Sequence, residues 1–302
     1  MNGKVLVVGS LNMDLVVAVP RHPQIGETIL SGTFATFPGG KGANQTVAAA
    51  RMGASVSMIG CVGKDGFGGE LLQTLASDGI DTAHISVLDG QATGIALITV
   101  DAEGRNTIVV ASGANQTLAP RHLAAAREAF SAADVLVLQL ETPLETVREA
   151  IRMAKQRGMQ VVLNPAPAQS LDSDLLSQVD YFIPNEGEAM QVAGSSTLEE
   201  AIDKLLKMGV SNLLVTLGEK GVLAVTKSGR ISVPAFSVKA VDTVAAGDAF
   251  VGAFSAGLAN GMDLGSAIRL ANGAAALSVT RHGAQPSLPT RKEVQDFLNQ
   301  VK

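Results

Sequence analysis

Short apolar runs rich in Val, Ile and Leu recur along the chain and alternate with segments of helical periodicity. The runs predict buried strands at residues 4–9, 55–60, 134–140, 160–164, 181–184 and 212–217. The helical segments lie at residues 43–52, 68–77, 120–132, 143–156, 198–207, 248–260 and 264–279. Because continuous apolar runs suit strands covered on both faces, the alternation predicts an α/β fold with a doubly wound, mainly parallel sheet flanked by helices.

Two segments depart from this rhythm. Residues 15–37 are strand-like with interspersed turn residues, and residues 94–111 alternate around a turn at Asp101–Gly104, as in a hairpin. We expect segments near 13–38 and 92–112 to form a small antiparallel β lid on a single domain of residues 1–302. Edge hairpins with no lid role are the alternative. An apolar face on so small a sheet would need cover, which favours a homodimer through the lid sheets.

The composition of the 302 residues excludes several classes of protein. A formal net charge of −5 argues against a general nucleic-acid binder, and no apolar run is long enough to span a bilayer. The single cysteine, Cys61, rules out an internal disulfide, and its apolar neighbours predict that it is buried. The four histidines show no metal-ligand spacing. We therefore expect a cytoplasmic enzyme with small-molecule substrates and neither a nucleic-acid nor a membrane partner.

The segment at residues 240–253 carries the strongest chemical signal. Asp248 follows the small residues Ala245, Ala246 and Gly247 and precedes an Ala- and Gly-rich helix. Main-chain N–H groups that small side chains leave exposed at a helix start can bind an anion. A carboxylate beside them could accept the proton of an attacking hydroxyl, as phosphoryl transfer requires. An Asp that merely caps the helix explains this segment equally well.

A glycine-rich loop precedes the first Ala-rich helix. It departs from the Walker A sequence because Gly42, rather than Ser or Thr, follows Lys41. The first strand also lacks the glycines of a dinucleotide fingerprint, which disfavours a nicotinamide-dependent enzyme. Gly39 and Gly40 would let the backbone approach a polar ligand, and Asn44 could exchange hydrogen bonds with sugar hydroxyls. A tight turn with a helix cap is the alternative.

Polar side chains follow two of the predicted strands. Asn12 and Asp14 come after the first strand, and in extended chain their side chains point the same way. Glu141 follows the strand at residues 134–140. Ligands of open α/β sheets bind at the carboxyl ends of strands, and an amide beside a carboxylate suits vicinal hydroxyls. Ordinary turn residues and a helix-start acid are the respective alternatives.

Three later motifs offer groups for a nucleotide and a cation. Asn185 and Glu188 lie at a strand-to-helix junction, where they could order waters on a magnesium–phosphate centre or form a capping box. A Gly-rich turn suited to a nucleotide extends from Thr216 to Gly221. Residues 278–287 form a polar loop rich in carbonyl oxygens.

In this order along the chain, the motifs resemble the ribokinase-like (phosphofructokinase-B type) carbohydrate kinase family. The resemblance extends over essentially the whole sequence and depends on two signatures, residues 39–44 and 242–248, which are specific jointly rather than singly. It implies that Asp248 is the catalytic base and that the N–H groups of Ala246, Gly247 and Asp248 form an anion hole. The implied sugar-binding residues are Asn12, Asp14, Gly40, Lys41, Asn44, Glu141 and Asp248.

The resemblance also implies ATP, Mg²⁺ and K⁺. The implied nucleotide contacts are Asn185, Thr216, Gly218, Glu219, Lys220, Gly221, Gly247 and Asn272. Glu188 matches an acid that orders Mg²⁺ through water. A K⁺ activator site, mostly of backbone carbonyls, would comprise Asp242, Val244, Ser278, Arg281, Gly283 and Ser287. Two positions depart from the pattern: Asn272 stands where some relatives have His, which puts the adenine contact in doubt, and Ala245 stands where many have Gly.

The activity implied by the resemblance is ATP-dependent phosphorylation of D-ribose at its 5-hydroxyl. Asn12 with Asp14 favours a sugar that carries both a 2- and a 3-hydroxyl. A kinase of the same family acting on fructose, deoxyribose or a pseudouridine-like nucleoside is an alternative. A non-catalytic sugar sensor is another, which the retained Asp248, Lys41 and Glu188 disfavour.

Overall fold

The apolar runs of the sequence form the strands of a large sheet, and a smaller sheet lies apart from it. The computed structural model describes residues 2–30 and 32–301. The strands are β1 (Lys4–Val8), β2 (Asn12–Ala18), β3 (Thr33–Gly39), β4 (Ser55–Gly63), β5 (Asp81–Leu88), β6 (Gly94–Val100), β7 (Asn106–Ala111), β8 (Val135–Leu138), β9 (Gln160–Leu163), β10 (Tyr181–Phe182), β11 (Leu213–Thr216), β12 (Val222–Thr226) and β13 (Gly229–Val233). The α-helices are α1 (Lys41–Arg51), α2 (Gly66–Ser77), α3 (Pro120–Ala125), α4 (Arg127–Ala132), α5 (Leu144–Lys155), α6 (Ser173–Leu176), α7 (Glu186–Ala193), α8 (Leu198–Lys207), α9 (Ala246–Ala259), α10 (Leu264–Ser278) and α11 (Arg291–Gln300).

Within the described residues, the large sheet has nine strands in the order β13-β12-β11-β10-β9-β8-β1-β4-β5. Every neighbouring pair from β11 to β5 runs parallel, whereas β11–β12 and β12–β13 are antiparallel. The doubly wound, mainly parallel sheet predicted from the sequence is confirmed.

Alternation along β1 divides the core between the two faces of this sheet. Val5 and Val7 belong to a cluster with residues of α1, α9 and α10, whereas Leu6 and Val8 belong to one with residues of α5 and α8. All four side chains are at most 1% exposed. Full burial of such a side chain contributes about 1.5–3 kcal/mol. The two-sided core thus fixes the central strands, whose carboxyl ends carry the polar residues.

The small sheet expected from the sequence is present, with the strand order β3-β2-β6-β7. β2 pairs antiparallel with β3, and β6 with β7, while the central pair, β2 and β6, runs parallel. Ala96 and Ile108 on one face line a pocket that Asp248 also lines. Leu97 and Val109, which alternate with them, are 48% and 65% exposed. The sheet therefore has one face toward the pocket and one apolar face in solvent.

Several local predictions differ from the structure. Residues 120–132, predicted as one helix, form α3 and α4, which meet at Ala126. Ala126 has φ −97° and ψ 25°, and its N–H donates to the carbonyls of His122 and Leu123. This bifurcated bond tightens the turn and ends α3 without any Gly or Pro. β5, β12, β13, α6 and α11 were not predicted.

The structure also bears on the predicted burial of Cys61 and on membrane-spanning segments. Cys61 on β4 is fully buried, as predicted, and burial raises the pKa of its thiol. Among the described residues, no helix is long and apolar enough to cross a membrane.

Candidate active site

Asp248 lies in the first turn of α9, just after an unusual backbone conformation. The N-cap, Ala245, has φ 59° and ψ 9°, and it is the only non-glycine residue with positive φ in the described chain. A left-handed conformation costs an L-residue about 1–2 kcal/mol. The turn places the start of α9 in one pocket wall with Asn164 and Thr216, which lie at the ends of β9 and β11. Strain of this kind concentrates at functional sites.

The Asp248 carboxylate is buried and fixed by two amides of α1. Asn44 Nδ2 donates to its Oδ2, and Gln45 Nε2 donates to its Oδ1, each over 2.9 Å. Because Ala245 is the N-cap and Asp248 bonds to another helix, the interpretation of Asp248 as a helix cap is wrong. Asn44 Oδ1 is buried without a partner among the described residues, so it can accept a hydrogen bond from a ligand.

The main-chain donors at the start of α9 are not equivalent. Ala246 N donates to Thr243 O over 3.3 Å, a long bond within the preceding turn. The N–H groups of Gly247 and Asp248 belong to the first turn, whose donors have no intrahelical acceptor. A Cβ built on Gly247 would meet no atom within 4 Å, so the space beside this residue is open. Gly247 and Asp248 are therefore the best-placed donors to an anion, and Ala246 can join them by giving up its long bond.

Two neighbouring pockets meet at Asp248. The larger, of about 990 Å³, lies between the small sheet and the strand ends of the large sheet. The smaller, of about 210 Å³, is lined by the start of α9 together with Asn164, Asn185, Glu188 and Thr216. Both pockets are lined by Lys41, Thr243, Ala245 and Asp248. A carboxylate shared by two pockets can contact a ligand in each, which is the geometry that group transfer requires.

Asn12 and Asp14 lie on β2 and both line the larger pocket, as their spacing predicts. Asn12 Oδ1 accepts from Asn115 Nδ2 over 2.8 Å, and Asn115 also bonds both the N–H and the carbonyl of Leu11. With its oxygen occupied, Asn12 presents a donor to the pocket, whereas Asp14 presents an acceptor. The pair suits neighbouring hydroxyls. The same pocket is lined by Gly40, Lys41, Asn44 and Glu141.

The glycines before Lys41 allow this part of the chain to contact β2 directly. A Cβ on Gly40, which has φ 87°, would lie 2.6 Å from Asn12 N. A Cβ on Gly39 would lie 2.4 Å from the Asp14 carboxylate. The sequence interpretation assigned this close approach to a ligand; in the structure it is made to the protein's own strand. Any larger residue would displace the backbone at Asn12 or the carboxylate of Asp14, both of which belong to pocket residues.

Lys41 lies among four acidic side chains. Burial alone would lower the pKa of Lys41, but Asp248, Glu141, Glu188 and Asp14 together raise it, so the ammonium stays charged. Burial raises the pKa of Asp14 to about 7, with additional increases from the negative charges of Glu141 and Asp248 and an opposing effect of Lys41. Near neutral pH, a ligand that donates hydrogen bonds to Asp14 would favour its ionised form.

Asn185 and Glu188 form a capping box at the start of α7, one of the two alternatives that the sequence left open. Asn185 Oδ1 accepts from Glu188 N, and Glu188 Oε2 accepts from Asn185 N, both over 2.8 Å. Burial raises the pKa of Glu188, an effect that the bond from Asn185 and the charge of Lys41 oppose. Both residues also line the smaller pocket. An acid that is costly to bury fits a position beside the waters of a hard cation such as Mg²⁺.

The other predicted nucleotide residues lie at two places. Thr216 ends β11 and lines the smaller pocket, and the chain continues into a 3₁₀ turn, Gly218–Lys220. Gly221, with φ 95°, closes this turn in a conformation that favours glycine. Asn272 on α10 is buried and donates to Pro234 O over 3.1 Å. It lines neither of the two pockets described above.

Four of the predicted cation-site residues converge around Asp242, a few residues before α9. Asp242 Oδ1 accepts from Val244 N over 2.9 Å, and Oδ2 accepts from Gly283 N over 3.0 Å. Asp242 N donates over 3.1 Å to the carbonyl of Val279, the residue after Ser278. Asp242 therefore ties together the end of α10, the polar loop after it and the segment that leads into α9.

The remaining two predicted cation-site residues offer mainly neutral oxygens. The side chain of Arg281 pairs with Glu293 over 2.6 Å, and the Ser287 hydroxyl donates to Ala284 O over 2.7 Å. In the part of the chain that the structure describes, no three His, Cys, Asp or Glu side chains could hold a metal ion together. A cation near Asp242 would thus depend on main-chain and hydroxyl oxygens, ligands that suit K⁺.

The structure adds five buried polar residues that the sequence interpretation did not single out: Ser10, Gln45, Asn115, Gln139 and Asn164. The Ser10 hydroxyl donates to Glu141, whose Oε2 also accepts from Lys41 N over 3.1 Å. The four carboxamides bond to Asn12 or Asp248, directly or through one another. Gln139 and Asn164 each extend an apolar strand run, so a polar residue beside a run of Val and Leu was a signal available in the sequence.

The comparisons with known proteins agree with this geometry. The sequence matches the pfkB family carbohydrate kinase profile over residues 2–291. It is 43% identical to the ribokinase of Haemophilus influenzae, with 97% of each chain covered. It is 39% identical to the deoxyribokinase of Salmonella typhi, with 98% of each chain covered. The structure of Arabidopsis thaliana ribokinase complexed with ribose and ATP superposes with a TM-score of 0.92 at 31% identity, with 99% of each chain covered.

Proposed function

The chain belongs to the pfkB family of carbohydrate kinases, and we propose that it transfers the γ-phosphate of ATP to the 5-hydroxyl of D-ribose. Membership of the family makes it an ATP-dependent sugar kinase. The identity to ribokinases over nearly the whole chain supports ribose as the acceptor. The likeness to a ribokinase in complex with ribose and ATP supports the same pair of substrates.

The observation that carries the proposal is the position of Asp248 between the two pockets. The larger pocket presents the donor of Asn12 and the acceptor of Asp14, which together suit a 2- and a 3-hydroxyl. The smaller pocket presents the main-chain donors of α9, which suit a terminal phosphate. A sugar and a nucleotide placed in this way would meet at one carboxylate.

In the proposed reaction, the 5-hydroxyl oxygen bonds to the γ-phosphorus while the bond from that phosphorus to the ADP oxygen breaks. The hydroxyl proton passes to the Asp248 carboxylate. The N–H groups of Gly247 and Asp248, with Ala246, would bind the oxygens of the transferring group, and charged Lys41 would add to the positive field. Positioning and electrostatic stabilisation would supply most of the rate, because phosphoryl transfer needs little covalent help from the protein.

The rest of ATP would extend from the smaller pocket toward the Gly218–Lys220 turn, past Asn185 and Thr216. Glu188 would hold Mg²⁺ through water, and the ion would neutralise part of the phosphate charge when bound. The small sheet would act as a lid that excludes water from the transferring group. Asn272, which the resemblance assigns to the adenine, lines neither pocket, and its amide donates to Pro234 O.

The proposal is tested by ADP release coupled to a reporter enzyme, with D-ribose, 2-deoxy-D-ribose, D-fructose and a nucleoside as acceptors. We expect the highest kcat/KM with D-ribose and ribose 5-phosphate as the product. ADP release that no acceptor stimulates would overturn the proposal and favour a sugar sensor. A preference for 2-deoxy-D-ribose is the second candidate, which the identity to the Salmonella typhi deoxyribokinase favours. Asn12 argues against it, because its donor would lack the 2-hydroxyl partner.

A monovalent cation near Asp242 is expected to raise turnover. Asp242 fixes the segment that leads into α9, so a cation held there would stabilise the conformation of the anion-binding turn. Turnover in KCl should exceed turnover in NaCl or choline chloride several-fold at equal ionic strength. Equal turnover in the three salts would contradict the K⁺ assignment.

We also propose a homodimer formed through the exposed face of the small sheet. Phe34, Leu97 and Val109 on that face are 62%, 48% and 65% exposed, and an apolar sheet face of this kind needs cover. Sedimentation velocity should give a dimer for the unmodified chain and a monomer for the double variant Leu97→Lys, Val109→Lys. A dimer that survives both changes would place the interface elsewhere. A cytoplasmic location stays a prediction from the sequence.

A further inference from the structure

A chain of three carboxamides lies beside Asp248, and its two glutamines, Gln45 and Gln139, line neither of the two pockets. Gln45 Nε2 donates to Asp248 Oδ1 over 2.9 Å, and Gln139 Nε2 donates to Gln45 Oε1 over 2.6 Å. Gln45 Nε2 also reaches Asn164 Oδ1 over 3.1 Å. Gln45 is fully buried, and Gln139 is 1% exposed. The residues come from α1 and from the ends of β8 and β9, and two of these elements reach the carboxylate only through Gln45.

The hydrogen bonds leave Gln45 only one orientation of its amide. Its nitrogen must face Asp248 Oδ1 and Asn164 Oδ1, which are both acceptors, and its oxygen is left to accept from Gln139. Asn164 is fixed in the same way, because its Nδ2 donates to Ile183 O over 2.8 Å and its oxygen is left to accept from Gln45. A flipped Gln45 would place an oxygen against two acceptors. The network thus holds a donor permanently toward the Asp248 carboxylate.

Two glycines make room for this arrangement. A Cβ on Gly9 would lie 2.1 Å from Gln139 Oε1, so only glycine leaves space for that amide. A Cβ on Gly252, one turn after Asp248, would lie 2.5 Å from both Gln45 O and Ala48 Cβ. The close packing of α1 on α9 that brings Gln45 to the carboxylate therefore depends on a missing side chain.

We infer that Gln45 is a positioning residue for the proposed phosphoryl transfer, oriented by Gln139 and Asn164 and acting only through Asp248. The inference rests on the proposed function. Asn44 holds the other oxygen, but its own Oδ1 is unpartnered and available to the sugar, so Asn44 serves two tasks. Gln45 bonds to protein groups alone. With one donor on each oxygen, rotation of the carboxylate is restricted, and a free lone pair stays directed at the acceptor hydroxyl.

The test compares Gln45→Met, which keeps the shape and removes the donor, with Thr46→Val as a matched control. Thr46 is the next residue on α1, is fully buried and donates only to Gly42 O in its own helix. We expect Gln45→Met to lower kcat about 10- to 100-fold with the sugar KM within about threefold, because misplacement of about 1 Å can cost that much. Thr46→Val should keep kcat within about threefold of the unmodified chain.

A second variant separates positioning from packing. Gln45→Glu has the same size but donates a hydrogen bond only when protonated, so its kcat relative to the unmodified chain should fall as the pH rises. The charged groups around Asp248 are Lys41 on α1, Asp14 on β2, Glu188 on α7 and Glu141 after β8, and the ratio of the two enzymes cancels their common titration.

An unchanged kcat in Gln45→Met, or an equal loss in Thr46→Val, would overturn the inference. So would a kcat ratio for Gln45→Glu that does not vary with pH. If Gln45→Met does not fold, Gln139→Met, which removes the donor to Gln45 Oε1 without touching Asp248, is judged by the same criteria. Failure of the proposed function is distinguishable, because the unmodified chain would then release no sugar-dependent ADP.

Discussion

Replacement of Asp248 by Asn is expected to lower turnover by at least about 100-fold while sugar affinity stays within about threefold. The amide is nearly the same size as the carboxylate, but it cannot accept the hydroxyl proton. One of the two bonds from Asn44 and Gln45 would also be lost, because an amide NH₂ cannot accept from a second NH₂. Turnover is measured by ADP release at saturating sugar and ATP, and sugar affinity is measured by calorimetry.

The matched control is Asp263→Asn at the start of the neighbouring helix α10. Asp263 is the N-cap of α10, bonds to Ser266 and lines neither pocket, and Asn is an equally good N-cap. The control should leave turnover unchanged. Turnover of Asp248→Asn within about threefold of the unmodified chain would remove Asp248 from the role of base, whatever its burial.

The buried strands could be predicted because nearly all of their residues are apolar. β1, β8, β9 and β11 are covered on both faces, so each gives an uninterrupted run of Val and Leu. β5 was missed because only Ile85 of its residues is buried, and its exposed positions weaken any pattern. The break between α3 and α4 was missed because it depends on packing at Ala126 and not on a local Gly or Pro. The existence of a buried strand can thus be predicted from its run of apolar residues, whereas the exact ends of a helix cannot.

Some residues of the site could likewise be predicted from the sequence, and others could not. Asn12, Asp14 and Glu141 could be predicted as pocket residues because the carboxyl ends of parallel strands share one edge of the sheet. The bond from Gln45 to Asp248 joins residues 203 positions apart, and nothing in either local sequence specifies that pairing. Side-chain networks of this kind depend on how helices pack, and here on the missing Cβ of Gly252.

Hydrogen bonds support two members of the acidic cluster, Asp248 and Glu141. Asp248 is supported by two amide donors, and Glu141 accepts from both the Ser10 hydroxyl and Lys41 N. The pKa of Asp14, by contrast, is set by burial and by neighbouring charges, and burial is the largest of these influences. The unfavourable electrostatics of the larger pocket therefore concentrate on Asp14.

Replacement of Asp14 by Asn is accordingly expected to stabilise the ligand-free protein above neutral pH. The pKa of Asp14 is raised from its model-peptide value near 3.9 to about 7 in the fold, so the folded state binds the proton more tightly than the unfolded state. The tighter binding of this proton by the folded state contributes fully to stability below about pH 4, and the contribution is lost as the pH rises through about 7. The rise corresponds to roughly 4 kcal/mol at most, and an uncharged amide of the same shape avoids that cost.

Urea unfolding without sugar should therefore show the Asp14→Asn variant gaining on the unmodified chain from pH 4 to pH 8, with the largest gain above pH 7. Asp203→Asn, at an exposed position of α8, controls for the loss of one negative charge. The Asp14→Asn variant should also bind D-ribose about 10- to 100-fold more weakly at pH 8, because a hydrogen bond to a charged acceptor is worth about 1.5–3 kcal/mol. A gain in stability that does not change with pH would contradict the raised pKa of Asp14, and unaltered ribose affinity would contradict its assignment as the acidic sugar contact. If both effects appear together, the Asp14 carboxylate both destabilises the ligand-free protein and strengthens ribose binding, as expected where activity opposes stability.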